Sequence, residues 1–158
     1  MVEAGEPDPA EQFVALLKIA IQSDNPSVDD DTEARFEQSP SWSFPAPRVE
    51  AAVATLDACL PRPDLYSRLM GDIDRLLDDA HPATRLQAAT HLIRLWDIDR
   101  PGFWSRLALR LNSETNFGVL SDVVGLLGQV LNADPTQTEA QLLAVISRFS
   151  GTANEVRC

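Results

Sequence analysis

The chain has 158 residues, of which 44% are hydrophobic, and a formal net charge of −11. This length allows one domain that buries roughly two-thirds of its unfolded surface, and every apolar stretch is far shorter than the roughly 18 residues that span a bilayer. The N-terminus is acidic, whereas a secretory signal is basic, so we expect a cytoplasmic protein that does not enter the membrane.

The negative charge is concentrated at the start of the chain. Residues 1–40 hold 10 acidic and 2 basic side chains, which leaves 14 acids and 11 bases for the remainder. We interpret residues 1–22 as an acidic leader followed by a first amphipathic helix, and residues 23–43 as an acidic, proline-rich connection. The chain lacks the clustered positive charge that phosphates require, so we expect no direct nucleic-acid binding.

Capping residues and hydrophobic periodicity predict the helices in order. Asp8 and Glu11 form a capping box around Pro9, and a short helix ends near Gln38. Longer helices are predicted over 48–60, 64–78, 82–96, 100–111, 116–131 and 135–149, with Asp99 and Asp134 as N-caps. No stretch alternates with period 2 for long enough to form a strand, so the fold class is all-α.

One sequence pattern occurs twice in the middle of the chain. RVEAA starting at Arg48 recurs as RLQAA starting at Arg85, and YSRL starting at Tyr66 recurs as WSRL starting at Trp104, at spacings of 37 and 38 residues. A weaker third copy follows at a spacing of 34. A hairpin of two helices cannot bury its apolar face alone, so this period predicts a stack of helical pairs.

The apolar positions of these helices predict the core. The inward stripes are Ala52, Val53, Leu56 and Leu60; Leu65, Leu69, Ile73, Leu76 and Leu77; Leu86, Ala89, Ile93 and Trp96; Phe103, Leu107 and Leu111; Leu120, Val123, Leu127 and Val130; Leu142, Leu143, Ile146 and Phe149. On the first helix the stripe is Phe13, Leu16, Leu17, Ala20 and Ile21. Cys59 falls at an apolar repeat position and is interpreted as a core residue, and Cys158 as a terminal thiol without a role.

The segment DAHPATRLQAA, which starts at Asp79, resembles the second half of a HEAT repeat. In that family an acidic and a basic residue form a ladder between neighbouring units, and Asp79 and Arg85 have the matching spacing, which predicts a structural pair. In the preceding unit Trp42 stands six residues before Arg48, where the acidic residue would be, and in the following unit Ser113 and Val119 replace both members, so we expect no continuous ladder. The resemblance covers about residues 44–150, or three units, and armadillo-like repeats remain an alternative.

The resemblance implies a right-handed α-solenoid of antiparallel helix pairs that serves as a scaffold or adaptor for a protein or peptide partner. Two alternatives stay open. The chain is a regulatory or sensor region of a multidomain enzyme such as an ATPase, or it is a HEAT-like enzyme that acts on nucleic acid or attaches a cofactor. The fold alone does not choose among these.

No residue pattern predicts catalysis, a metal or a cofactor. His81 and His91 lack ligands at metal-binding spacing, and neither cysteine has a histidine nearby in sequence. Gly118, Gly125 and Gly128 lie in one predicted helix without the lysine and serine or threonine of a phosphate-binding loop, so we attribute them to close helix packing. We therefore expect a non-catalytic protein.

The outward stripe of the second helices is the predicted partner-binding surface. Gln87, His91 and Arg94 occupy it in the central unit, and the repeat spacing places Glu50, Ala54 and Asp57 beside them in one neighbour and Ser121, Gly125 and Gly128 in the other. An ordinary solvated face is the alternative. Trp42, in the proline-rich connection, is predicted either to cover the apolar end of the first repeat or to bind a peptide.

The last predicted helix is the first half of a unit whose second half is missing. Its apolar face would be uncovered, so we expect that the chain is a segment of a longer repeat protein or that it self-associates end to end. Residues 151–158 are predicted to be a flexible tail.

Overall fold

The computed structural model describes residues 8–155, with side chains described for residues 8–150. It contains α1 (Pro9–Ile21), α2 (Thr32–Gln38), α3 (Pro47–Ala58), α4 (Tyr66–Leu77), α5 (Pro82–Thr90), α6 (Arg100–Ser113), α7 (Phe117–Val130) and α8 (Pro135–Glu155). Short 3-10 helices, Pro63–Leu65 and His91–Leu95, precede α4 and follow α5. Residues 8–155 contain no strand, which confirms the all-α prediction. None of their helices combines the length and the apolar composition that crossing a membrane requires.

The predicted N-caps are confirmed where the sequence placed them. The Asp8 carboxylate accepts the Ala10 N–H at 3.0 Å, and the Asp99 carboxylate accepts the Gly102 N–H at 2.9 Å. The Asp134 carboxylate accepts the Gln137 N–H at 3.2 Å. Each bond satisfies one of the four N–H groups that a helix start leaves without an intrahelical partner.

The helix predicted over residues 82–96 changes from an α-helix to a 3-10 helix near its midpoint. The Thr90 hydroxyl donates to the carbonyl oxygens of Leu86 and Gln87, at 3.0 and 3.2 Å. A threonine hydroxyl that bonds to the preceding turn competes with the i→i−4 ladder and bends a helix. The chain accordingly continues from His91 as a 3-10 helix, and the sequence prediction of an unbroken α-helix was wrong here.

The odd-numbered helices contact one another in chain order. α1 packs against α3, α3 against α5 and α5 against α7. α4 packs beneath α3 and α5, α6 contacts α7, and α8 contacts both α6 and α7. One continuous hydrophobic core joins these helices, and Phe103, Leu107 and Ile73 are fully buried in it. α1, α3, α5 and α7 therefore form a row. α1 lies at one end of this row, and α7 together with α8 lies at the other end.

Several predicted core positions lie on the surface instead. Phe13 and Leu16 of α1, Leu60, and Leu142, Leu143 and Ile146 of α8 are exposed. Leu60 lies just beyond α3, where the chain has left its helical path. Periodicity identifies the apolar face of a helix correctly, but it cannot tell whether another helix covers that face.

Ion pairs connect successive helices, with partners that the sequence did not predict. Asp79 and Arg85 touch only through the main chain, because Arg85 Nη1 donates to the Asp79 carbonyl oxygen at 2.9 Å. The Asp79 carboxylate lies 3.3 Å from Arg48 Nε, and Arg85 Nε donates to the Glu114 carboxylate at 2.9 Å. Two successive rungs therefore form, in which Asp79 and Arg85 each bind a residue of a neighbouring unit. The expected interruption at the following unit was wrong, because Glu114 supplies an acidic partner there.

α2 lies within the stretch that was predicted to be a connection. It is hydrogen-bonded to residues at the starts of α5 and α7. Glu33 accepts hydrogen bonds from Arg85 at 2.9 Å and from the Asn116 side-chain amide at 2.8 Å. The Glu37 carboxylate accepts the Phe117 N–H at 2.8 Å, at the N-terminus of α7. Glu33 and Glu37, two of the acidic residues within residues 1–40, therefore accept hydrogen bonds from donors at the starts of α5 and α7.

Candidate protein-binding surface

The outward stripe predicted to bind a partner contains a three-residue polar cluster. His91 Nδ1 lies 2.9 Å from the Asp57 carboxylate, and Arg94 Nε donates to the same oxygen at 2.7 Å. Burial alone would raise the pKa of Asp57, but the hydrogen bonds with His91 and Arg94 outweigh it and lower this pKa. The structure thus brings His91 and Arg94 together with Asp57 of α3, where they join two helices of the row.

The other residues of the stripe differ in how exposed they are. Gln87 and Ala54 are half-buried, and Glu50 is exposed. The two neighbouring positions on α7, Gly125 and Gly128, are exposed, and an added Cβ at either would meet no atom within 4 Å. The close helix packing expected for these two glycines is therefore wrong. Ser121 is exposed on the same helix, so this part of the surface is open and has no large side chains.

Gly118 differs from the other two glycines of α7. A Cβ there would lie 2.6 Å from the Cβ of Pro40 and 3.1 Å from Asn116 Oδ1. Pro40 belongs to the segment between α2 and α3, and its rigid ring cannot rotate away. Gly118 therefore permits the close approach of two chain segments, whereas Gly125 and Gly128 only lower the helix propensity of α7.

Alanine substitutions separate these two kinds of glycine. We expect Gly125→Ala and Gly128→Ala each to raise the free energy of unfolding by about 0.5–1 kcal/mol, because Ala is the better helix former and the space is open. Gly118→Ala is the matched control and is expected to destabilise, because of Pro40. Urea unfolding of the three variants measures this. A loss of stability at Gly125 or Gly128 would show that the helix surface there is covered.

Trp42 packs beside the start of α5 and leaves the outer face of α1 uncovered. Its ring is edge-on to His81, with the centroids 5.1 Å apart, and it lines a pocket of about 370 Å³ together with Phe36, Arg35 and Asn25. The indole N–H is buried and has no hydrogen-bond partner. Trp42 is partly buried against the hydrophobic core, and both predictions for it, a cover over the end of the first repeat and a peptide-binding residue, stay predictions.

His81 caps α5 in a way that the sequence did not predict. Its Nδ1 accepts the Ala83 N–H at 3.1 Å, so the neutral ring carries its proton on Nε2. Burial, with a smaller contribution from the nearby Arg48 charge, lowers the pKa of His81 below its ordinary value of 6.5. Protonation would remove the acceptor that caps the helix.

This lowered pKa predicts a pH dependence of stability. Below about pH 6.5 the unfolded chain binds a proton at His81 that the folded chain resists, so this contribution is complete above pH 6.5 and is lost as the pH falls. His81→Asn keeps a capping acceptor without a titrating ring. We expect the free energy of unfolding to fall less between pH 7.5 and 5.5 in this variant than in the wild type. Equal losses in the two proteins would contradict the assignment.

The outer face of α1 is apolar and uncovered. Leu16 and Ile19 are 64% and 70% exposed, and Phe13 is partly exposed beside them. The opposite face of α1, with Val14, Leu17 and Ile21, packs into the core. The N-terminal end of the row of helices therefore presents a ridge of large hydrophobic side chains.

The other end of the row is also apolar. Leu143 and Ile146 of α8 are 56% and 59% exposed, and Leu142 and Leu131 are partly exposed. Phe117 at the start of α7 is exposed, and its ring lies 5.8 Å from the ring of Phe149 on α8. We call these six residues the α7–α8 face: Phe117, Leu131, Leu142, Leu143, Ile146 and Phe149.

Metal ligands and a reactive cysteine were two kinds of chemical site considered in the sequence. No group of three or more His, Cys, Asp or Glu side chains within that part of the chain could hold a metal ion. Cys59 is buried, as predicted; its thiol donates to the Thr55 carbonyl oxygen, and burial raises its pKa to about 11. A thiol with this pKa is almost entirely protonated at neutral pH and is a poor nucleophile. Cys158 lies outside the described residues.

Comparison with known proteins finds no match: no family model fits the chain, and no curated protein or solved structure is significantly similar to it.

Proposed function

We propose that this chain is a protein-interaction module built from HEAT-like repeats, which acts in the cytoplasm as a scaffold. In this proposal α3 with α4, α5 with α6, and α7 with α8 are antiparallel pairs of a right-handed solenoid. The recurrence of RVEAA as RLQAA and the chain-order contacts from α1 to α7 support it. The Arg48–Asp79 and Arg85–Glu114 rungs also support it, because they recur between successive units.

The distribution of exposed hydrophobic side chains carries the proposal. Eight of the thirteen exposed large hydrophobics among residues 8–150 lie on α1, α7 and α8 or at the α7–α8 join. None of the thirteen lies on α3 or α5, the central helices of the row. A solenoid that ends in water needs polar terminal faces, so large apolar faces at both ends indicate that protein covers them.

The chemistry of these end faces selects the class of partner. The large exposed side chains that form these faces are aliphatic or aromatic: Phe13, Leu16 and Ile19 on α1, and the α7–α8 face. The charged residues Glu11 and Lys18 are also exposed on α1. Such a surface gains free energy by excluding water against another apolar surface, at about 25 cal/mol per Å² buried. A polyanionic partner such as nucleic acid would gain nothing there, and the net charge of −11 would repel it.

The proposal is tested on the full chain with an apolar dye and by light scattering. We expect the wild type either to bind 8-anilinonaphthalene-1-sulfonate or to self-associate. The double variant Leu16→Glu, Ile146→Glu is expected to lose both properties while keeping the thermal midpoint, because both side chains point away from the core. A monomer that binds no dye, or a variant that unfolds like a core substitution, would contradict the proposal.

A further inference from the structure

We propose that the pocket beside Trp42 binds a small aromatic carboxylate. The pocket has a volume of about 370 Å³ and is lined by the loop before α2, by α2, by the segment that follows α2, and by His81 at the start of α5. Small-molecule sites have volumes of roughly 300–1,000 Å³, so the size of this pocket favours a compact ligand over an extended peptide. The inference goes beyond the proposed function, which concerns the two end faces.

Two N–H donors in the wall of the pocket have no partner among the described residues. Because Nδ1 of His81 accepts the Ala83 N–H, the neutral ring carries its proton on Nε2, on the other side of the ring. His81 is 5% exposed, and no group within residues 8–150 accepts this proton. The indole N–H of Trp42 is buried and also unpartnered. A donor withheld from water costs free energy unless an acceptor reaches it, so both groups favour a ligand with acceptor atoms.

The pocket distinguishes Trp42 from the other tryptophan with an unpartnered N–H. The buried indole N–H of Trp104 also lacks a partner, but its ring packs edge-on against Phe103 in the core, away from this pocket. Beside Trp42, the hydroxyl groups of Ser39 and Ser41 line the same pocket. The polar groups of the pocket wall therefore converge on a space that a ligand can fill.

The charge of the pocket selects an anion with a single negative charge. Among the described residues that line it, Arg35 is the one that is charged at neutral pH, and none is acidic, although the whole chain has a net charge of −11. Nη2 of Arg35 donates to both oxygens of Asp29, at 2.6 and 2.7 Å, which leaves Nε for another acceptor. Because Asp29 already neutralises part of this cation, a carboxylate fits the pocket better than a phosphate, whose charge is about −1.5 to −2.

The apolar walls of the pocket select the body of the ligand. Phe36 is 6% exposed, the ring of Trp42 is partly buried against the core, and Pro26 lines the same space. Aromatic rings pack on one another in offset or edge-on geometry, as Trp42 and His81 do here with their centroids 5.1 Å apart. A ligand with one aromatic ring next to its carboxylate would therefore contact both the rings and the donors.

NMR spectroscopy of the full chain at about pH 7.5 tests the site on the unmodified protein. The indole N–H signals of Trp42, Trp96 and Trp104 are followed during titration with benzoate or with benzamide, its uncharged analogue. Benzoate is expected to shift the Trp42 signal to lower field, with a Kd of about 1 mM or tighter, and to leave the other two signals in place. Benzamide should bind about tenfold more weakly, because hydrogen bonds to a charged acceptor are stronger.

Substitutions assign the donors. Trp42→Phe keeps an aromatic ring in the pocket and removes the N–H, and calorimetry is expected to show benzoate binding weakened about tenfold. Trp104→Phe is the matched control, because it removes an equally unpartnered indole N–H outside the pocket, and it should bind benzoate like the wild type. His81→Asn should also weaken binding. Circular dichroism verifies that the three variants keep their helix content.

Four results would overturn the inference. If benzoate at about 10 mM, ten times the expected Kd, leaves the Trp42 signal unmoved, the pocket does not bind this class of ligand. Equal affinities for benzoate and benzamide would mean that the negative charge is not recognised. Tighter binding of phenyl phosphate would assign a doubly charged ligand instead. Equal weakening by Trp42→Phe and Trp104→Phe would place the binding elsewhere. None of these results changes the test of the end faces, so the proposed function stands or fails separately.

Discussion

Replacing Glu114 by Gln is expected to lower the free energy of unfolding by about 1.5–3 kcal/mol, because the buried Arg85 loses its buried carboxylate and keeps only the half-exposed Glu33 as a charged partner. The Glu114 side chain is 1% exposed and accepts bonds from Arg85 Nε at 2.9 Å and Nη2 at 3.1 Å. It also accepts the main-chain N–H groups of Thr115 and Asn116. The one carboxylate therefore joins α5 to the turn between α6 and α7.

An exposed pair with the same geometry provides the control. Arg62 Nε and Nη2 donate to the two oxygens of Asp64 at 2.8 and 2.7 Å, but both side chains are in water. Asp64→Asn makes the same chemical change and is expected to leave stability almost unchanged, because solvent screens the pair. Urea unfolding of both variants measures the difference. Equal effects would mean that Glu114 is not buried between the helices.

Replacing Leu107 by Ala is expected to destabilise the protein by about 2–5 kcal/mol. Leu107 of α6 is fully buried in the core, so truncation loses its apolar contacts and leaves a cavity. Leu143→Ala on α8 removes the same atoms from a side chain that is 56% exposed, and it should change the stability of the monomer by about 0.5 kcal/mol or less. Thermal or urea unfolding at low protein concentration makes the comparison.

This pair of leucines also tests the description of α8. Both were predicted from periodicity to face the core, and the structure buries one and exposes the other. A large loss at Leu143 in the monomer would show that the chain covers α8 itself. A small loss would fit a face that the chain itself leaves uncovered.

The helices were predictable because each carries local signals. Asp8, Asp99 and Asp134 lie at the helix starts that they mark, and proline occupies the first or second helical position in several cases. The stripe Leu65, Leu69 and Ile73 is buried as the 3.6-residue period requires. Such signals act over one or two turns and are contained in the sequence of the helix itself.

The contacts between helices were less predictable because they depend on distant segments. Glu33 lies 52 residues before Arg85, and Glu114 lies 29 residues after it, so a spacing rule within one repeat could not name them as the partners of Arg85. Trp42 contacts His81, which is also far away in sequence. The capping role of His81 was missed because histidine is not among the preferred N-cap residues.

The candidate surface was predicted in part. The outward position of Gly125 and Gly128 followed from the repeat spacing, and the structure exposes both. The exposed faces at the two ends depend on which helices have neighbours, which a sequence pattern does not state. Ile146 was predicted to face the core, and no prediction was made for Phe117; the arrangement of α7 and α8 shows that both are uncovered.

Hydroxyl-radical footprinting of the full chain at low concentration tests most directly whether the end faces are free of contacts from the chain itself. We expect Ile19 and Ile146 to be oxidised at the rate of exposed aliphatic side chains, while Leu107 and Ile73 are protected. Protection of both Ile19 and Ile146 in the isolated monomer would contradict the account.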